Sequence, residues 1–169
     1  MVKRWDKVYS KAFGGTWYPN EGVVRFAARY LQRRVGIGDY DVRKKVGKIL
    51  DTGCGNGRHV VFFAEQGYDV YGIDISEEAI EIAAAWVAKQ GLHVALMVGD
   101  VEGLPFEAEY FDVVISHEVL DHVSFTKAKK AINEIKRVSR EGAYFYLTLR
   151  SIWDSEFSRG EEVEKILLF

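Results

Sequence analysis

The sequence predicts an α/β fold built on a doubly wound, mostly parallel sheet. Three observations carry that expectation. Short apolar runs alternate with stretches of helical period from residue 48 to residue 149. Glycines punctuate the boundaries between them. The chain of 169 residues, 48% hydrophobic and 28% charged, suits a single soluble domain with a real core. Strands that alternate with helices pair in parallel, with helices on both faces and right-handed crossovers.

The elements follow in order. The first twenty residues are rich in aromatics: Trp5, Tyr9, Phe13, Trp17 and Tyr18. Pro19 and Asn20 introduce a helix, with Asn20 as N-cap and Glu21 in the first turn. Val23, Val24, Phe26, Ala27, Tyr30 and Leu31 form its apolar stripe, and Gly36 and Gly38 are expected to stop it. Residues 48–51 read as a buried first strand, 53–57 as a tight turn and 58–66 as a helix closed by Gly67. A second strand covers 69–73, and Ser76 caps a helix that runs to about Gln90. Residues 93–98 and 111–116 are the third and fourth strands. Thr126 is the expected cap of a helix in which Ala128, Ala131, Ile132, Ile135 and Val138 recur at the helical period. Lys136, Arg137 and Arg140 suit its C-terminal dipole, Gly142 ends it, and residues 143–149 form a fifth strand.

Composition narrows the function. The longest apolar run, residues 82–88, is too short to span a bilayer, and the N-terminus has no signal-peptide core. A cytoplasmic protein is expected. A lone cysteine excludes a disulfide framework and a cysteine-rich zinc site. The net charge of −2 gives no bulk attraction to nucleic acid or anionic lipid, so neither is expected as a partner.

In such a sheet, ligands bind beyond the carboxyl ends of the strands. The first strand ends in Leu50-Asp51-Thr52, and the turn reads Gly53-Cys54-Gly55-Asn56-Gly57. Glycine there permits a sharp turn and close approach of a ligand. Twenty-one residues after Gly53 the second strand ends in Asp74, a place where a carboxylate accepts hydrogen bonds from a ribose diol. Asp100 puts a further carboxylate on the same rim. Asp51 at the mouth of the turn would repel a pyrophosphate, which argues against a dinucleotide, and would suit an ammonium group. A nucleoside with an amino-acid tail and no phosphate matches this pattern: S-adenosylmethionine.

On these residues the chain resembles a class I S-adenosylmethionine-dependent methyltransferase, most closely the small-molecule group with an aromatic N-terminal segment. The similarity extends to Trp17-Tyr18-Pro19-Asn20-Glu21, to Val119-Leu120-Asp121-His122, and to Ala131-Ile132-Asn133-Glu134-Ile135-Lys136-Arg137-Val138. The resemblance implies a Rossmann-like sheet of order 3-2-1-4-5 in a single domain over residues 1–169. An aromatic lid and helix would occupy 1–45, the cofactor-binding core 46–150 and a short C-terminal segment 151–169. It also implies that Asp51 orients the methionine amino group and that Gly53, Cys54 and Gly55 line the cofactor. Asp74 would hold the ribose with Ile75 beside it, Asp100 and Val101 would meet the adenine, and Ser116 would lie near the methionine moiety.

Methyl transfer from a sulfonium is an in-line displacement with a neutral leaving group, so positioning and desolvation can carry most of the catalysis. His117, His122 and Tyr9 are the candidate catalytic residues. For both histidines, with Asp121, a helix-start cap with surface or inter-helix packing is the first reading and a place facing the acceptor the second. Tyr9, Trp17 and Tyr18 read either as a lid over the cofactor or as pegs in the core. The spacing of His117, Asp121 and His122 does not place three ligands on one helical face, so no metal is expected. A polar-Pro-Pro-aromatic motif that would grip a flipped base is absent after the fourth strand, against nucleic-acid methylation. A cofactor-binding protein without catalysis is the remaining rival. The family usually adds an antiparallel strand pair after the fifth strand, for which residues 151–169 are too few. A shortened chain, a natural short form and a chain completed by its partner all fit, and an open sheet edge there favours a homodimer.

Overall fold

The computed structural model describes residues 2–11 and 17–149. Seven strands and five helices follow one another along these residues. Helix α1 is Val2–Lys11 and α2 is Glu21–Tyr30. Strands β1, Gln32–Arg34, and β2, Tyr40–Val42, form a small antiparallel hairpin. Next come β3 (Lys48–Thr52), α3 (Arg58–Ala64), β4 (Asp69–Asp74), α4 (Glu77–Lys89), β5 (Ala95–Val98) and β6 (Phe111–Ser116). A 3-10 turn at Leu120–His122, helix α5 (Phe125–Val138) and β7 (Ser139–Leu147) complete the described chain.

The main sheet has the order β5-β4-β3-β6-β7 with every neighbouring pair parallel. This is the expected 3-2-1-4-5 order, shifted in numbering by the hairpin strands. Both faces are covered. Ile49, Val70, Val113 and Ile115 pack on one face with Val23, Phe26, Val60 and Phe63. Leu50, Ile73 and Val114 point to the other, against Leu120, Ala131, Ile135 and Val138. Burial on both sides is why these strands read as continuous apolar runs.

Caps explain most boundaries. The Asn20 side chain accepts a hydrogen bond from the Gly22 N–H, and Ser76 accepts one from Ala79. Helix α5 starts earlier than expected. Ser124, not Thr126, is its cap and accepts from the Lys127 N–H. Gly36 and Gly38 do not stop α2, which ends at Tyr30. They lie in the turn of the β1–β2 hairpin, held by the Val35 N–H to Asp39 carbonyl bond. Strands this short, with no buried face, leave no apolar alternation to read.

The helix before β7 likewise ends at Val138 rather than at Gly142. Gly142 sits inside β7 with φ +71°, near an irregularity where Phe111 pairs Ser139 but Val113 pairs Tyr144. Arg140 is therefore a strand residue, not part of the helix end. The expectations about residues 151–169, the missing strand pair and the open edge among them, fall outside the described residues.

Candidate functional site

The carboxyl rim of the sheet gathers the candidate residues. β3 delivers Asp51 to the rim, and the chain then folds back sharply. The N–H groups of Gly53 and Cys54 both reach the Ile73 carbonyl, at 2.7 and 3.0 Å. The turn needs positive φ at Gly53, Gly55 and Gly57, conformations that glycine adopts without strain. A Cβ at Gly55 would also collide with the Tyr9 hydroxyl. Gly57 then starts α3, whose first turn presents Arg58 and His59.

Asp51 is 1% exposed, and its Oδ2 has no hydrogen-bond partner among the described residues. The nearest group of opposite character is His59 Nδ1, 3.7 Å away. A buried carboxylate in this state costs free energy unless a cation reaches it. Asp74, 7% exposed, is instead well held: Oδ2 accepts the Gly55 N–H at 2.8 Å and Oδ1 the Ser76 N–H at 2.9 Å. Burial raises its pKa above the ordinary carboxylate value, and the backbone N–H groups pull against that rise. Asp100 accepts the Glu102 N–H at 3.0 Å, close after the end of β5. Ile75 follows Asp74 half-buried, whereas Val101 is buried in the core. Ser116 is fully buried, with an Oγ that has no partner among the described residues. Its carbonyl accepts from the Thr148 N–H.

Cys54 turns inward. It belongs to the core and its Sγ lies over Gly72, while burial pushes its thiol well above the ordinary value. A protonated, enclosed thiol serves packing rather than nucleophilic attack.

Helix α1 lies across this rim. The Ser76 hydroxyl donates to Asp6 at 2.6 Å, the Tyr9 hydroxyl rests on Gly55, and the Trp5 ring meets His122 edge-on at 5.0 Å. Burial, reinforced by Asp74, raises the Tyr9 phenol so far that it stays protonated. The structure does not bring Tyr18 to this cluster; it is 81% exposed. Trp17 packs edge-on against Trp86 of α4.

The two histidines after β6 part company. His117 is half-buried with its side chain nearly enclosed, stacked parallel to Tyr146 at 6.2 Å and edge-on to His59 at 5.3 Å. Arg58 Nη2 reaches its Nδ1 at 3.4 Å, and Glu118 Oε2 lies equally near. Burial lowers its pKa against the pull of Glu118, with His59 and Arg58 adding to the fall, so the ring is held neutral. His122 is half-buried under Trp5, its Nε2 3.8 Å from Asp121. His59 and Arg58 are the rim residues that the sequence reading passed over. Their place in the first turn after the glycines was the available signal.

Comparison with known proteins decides the family. A methyltransferase-domain family matches residues 50–147, more than half of the chain. The chain belongs to the class I S-adenosylmethionine-dependent methyltransferases.

Within that family it is 34% identical over 134 residues to ajmaline N-methyltransferase of Rauvolfia serpentina, covering 75% of this chain and 45% of that enzyme. It is 33% identical over 107 residues to ubiquinone biosynthesis O-methyltransferase of Bartonella tribocorum, covering 63% and 42% respectively. A solved SAM-dependent methyltransferase from Methanosarcina mazei aligns with a TM-score of 0.59 at 33% identity, covering 62% of this chain and 52% of that one. The matches thus span less than half the length of these two curated relatives. S-adenosylmethionine is the cofactor of this methyltransferase family. The orphaned, buried Asp51 oxygen fits it, because the cofactor brings an ammonium group and no phosphate.

Proposed function

We propose that this chain carries the core of an enzyme that transfers a methyl group from S-adenosylmethionine to a small-molecule acceptor. The observation that carries this reading is the buried Asp51 oxygen without a hydrogen-bond partner, on the same rim as Asp74. A cation answers the first carboxylate and a diol the second. The acceptor class is supported by the small-molecule names of two relatives, an ajmaline and a ubiquinone-pathway methyltransferase.

In this reading Asp51 takes the ammonium, Gly53 and Gly55 let the turn fold tightly with Val119 and Tyr9 packed against it, and Asp74 holds the ribose through lone pairs not used by Gly55 and Ser76. Ile75, Asp100 and Val101 border the adenine, and Ser116 the methionine portion. When bound, the cofactor supplies a methyl on a sulfonium that leaves as a neutral thioether. The chain's own work is then positioning and exclusion of water. Tyr9, Asp6 and Trp5 close α1 over the rim, and the Tyr9 phenol remains a hydrogen-bond donor.

An acceptor that carries a proton needs a base. The His117 ring, held neutral by burial, meets both the Arg58 guanidinium and the Glu118 carboxylate at Nδ1. His122, half-buried with its Nε2 3.8 Å from the Asp121 carboxylate, is the other candidate for that role.

Calorimetric titration tests the proposal. S-adenosylmethionine is expected to bind in the micromolar range, Asp74→Ala to weaken it, and NAD to give no heat. Turnover against a panel of nitrogen and oxygen acceptors then separates catalysis from binding. Folded protein that binds NAD, or that binds neither compound, would sink the reading.

A further inference from the structure

We propose that His59 is the positioning residue of the cofactor site, holding the Asp51 carboxylate toward the ligand's ammonium group while it anchors the start of α2. The inference rests on the functional reading above. It goes beyond that reading by assigning the orientation of Asp51 to a particular side chain.

The two ring nitrogens of His59 face different partners. Nε2 accepts the backbone N–H of Asn20 at 3.2 Å. An acceptor nitrogen carries no proton, so in the neutral ring the proton is on Nδ1. Nδ1 is the nitrogen that faces Asp51 Oδ2, at 3.7 Å. Both side chains are almost completely enclosed, and that oxygen has no hydrogen-bond partner among the described residues. His59 therefore turns its Nδ1–H side toward a buried carboxylate oxygen that has no hydrogen-bond partner among the described residues, near enough to bias its direction electrostatically without a hydrogen bond to it. Backbone-fixed histidine orienting a ligand-binding group is the logic of outer-shell partners at metal sites, applied here to an organic cation.

The other contact gives the ring its rigidity. Asn20 caps α2 through its own side chain, which accepts from Gly22. The Asn20–His59 bond therefore joins the end of the aromatic N-terminal segment to the carboxylate that meets the cofactor's tail.

Two substitutions separate the two nitrogens. In His59→Asn the amide N–H takes the place of Nδ1–H and the Asn20 contact is lost. In His59→Gln the amide oxygen takes the place of Nε2 and the N–H toward Asp51 is lost. The probes are S-adenosylmethionine and 5′-methylthioadenosine, which keeps the nucleoside and lacks the amino-acid tail. By calorimetry, His59→Gln is expected to bind S-adenosylmethionine several-fold more weakly, the scale of a lost dipole–charge contact rather than of a lost hydrogen bond. The same variant should bind 5′-methylthioadenosine as wild type does, and His59→Asn should keep most of the preference for the full cofactor. Parallel loss of both ligands, or no change in their ratio, overturns the assignment while wild-type binding upholds the functional reading. Failure of folded wild type to bind S-adenosylmethionine overturns both. Should His59→Gln not fold, nitrogen-15 spectra of the wild-type imidazole decide: a proton on Nε2, or a Nδ1 resonance unmoved by the full cofactor, refutes the inference.

Discussion

The two ends of the sheet treat the same side chain in opposite ways. At the amino end Asp112, on β6, accepts the N–H groups of Gly47 and Lys48 at 2.7 and 2.9 Å and the Arg140 guanidinium at 2.8 Å. These donors hold its pKa below the ordinary value in spite of partial burial. At the carboxyl end Asp51, on β3, is more deeply enclosed, and its Oδ2 has no hydrogen-bond donor among the described residues. A carboxylate whose partners all lie in the fold stabilises the fold. A buried carboxylate oxygen left without a donor is a cost that a cation reaching it offsets. Asp74 stands between the two, bonded to backbone N–H groups yet on the carboxyl rim of the sheet.

The strongest way to break this comparison is Asp51→Asn. Cofactor affinity is expected to fall roughly a hundredfold, as a buried charge–charge contact is lost. Thermal stability should hold or rise, because an uncompensated charge leaves the interior. A variant that melts lower and still binds would show that Asp51 is structural.

The mirror experiment is Asp112→Ala, expected to cost about 2–3 kcal/mol in urea unfolding through its charge-assisted bonds. Its cofactor affinity should match wild type, since the proposed site lies at the other end of the strands. Weakened binding by a stably folded variant would erase the distinction between the two ends.

Acidification sharpens the contrast by smaller amounts. Asp112, with a lowered folded pKa, contributes stability that is present above the unfolded value of about 3.9 and is lost as pH falls through the folded value. Asp74, with a raised folded pKa, contributes the opposite slope: full below the unfolded value and lost as pH rises through the folded one. Its protonation should also loosen the cofactor at a higher pH than an unshifted carboxylate would, by no more than tenfold per unit. Titrations at stepped pH check this, and Asp74→Asn should give a flatter profile; an identical acid limb in that variant would remove Asp74 as the cause.

Much of this architecture was legible in the residues. The apolar runs that became β3, β4 and β6, the glycine turn, and the carboxylates Asp51, Asp74 and Asp100 at or just past strand ends all followed from local pattern. What escaped had no local pattern. The β1–β2 hairpin pairs through backbone bonds between strands without a buried face, so no periodicity announces it. Gly142 reads as a helix stop but serves as a bend within β7. Tyr9 and Tyr18 look alike as aromatic candidates, yet one rests on Gly55 and the other lies in solvent.

The sequence by itself determined the alternation of strands and helices from β3 to β7, the mostly parallel sheet, and the carboxylates at or just past its strand ends. Hydrophobic period and turn chemistry are local, and they suffice for that. Only the tertiary structure decided that Arg58 meets His117 and that His59 stands between Asn20 and Asp51. Side-chain direction is set by packing between segments far apart in the chain, and no local pattern encodes it.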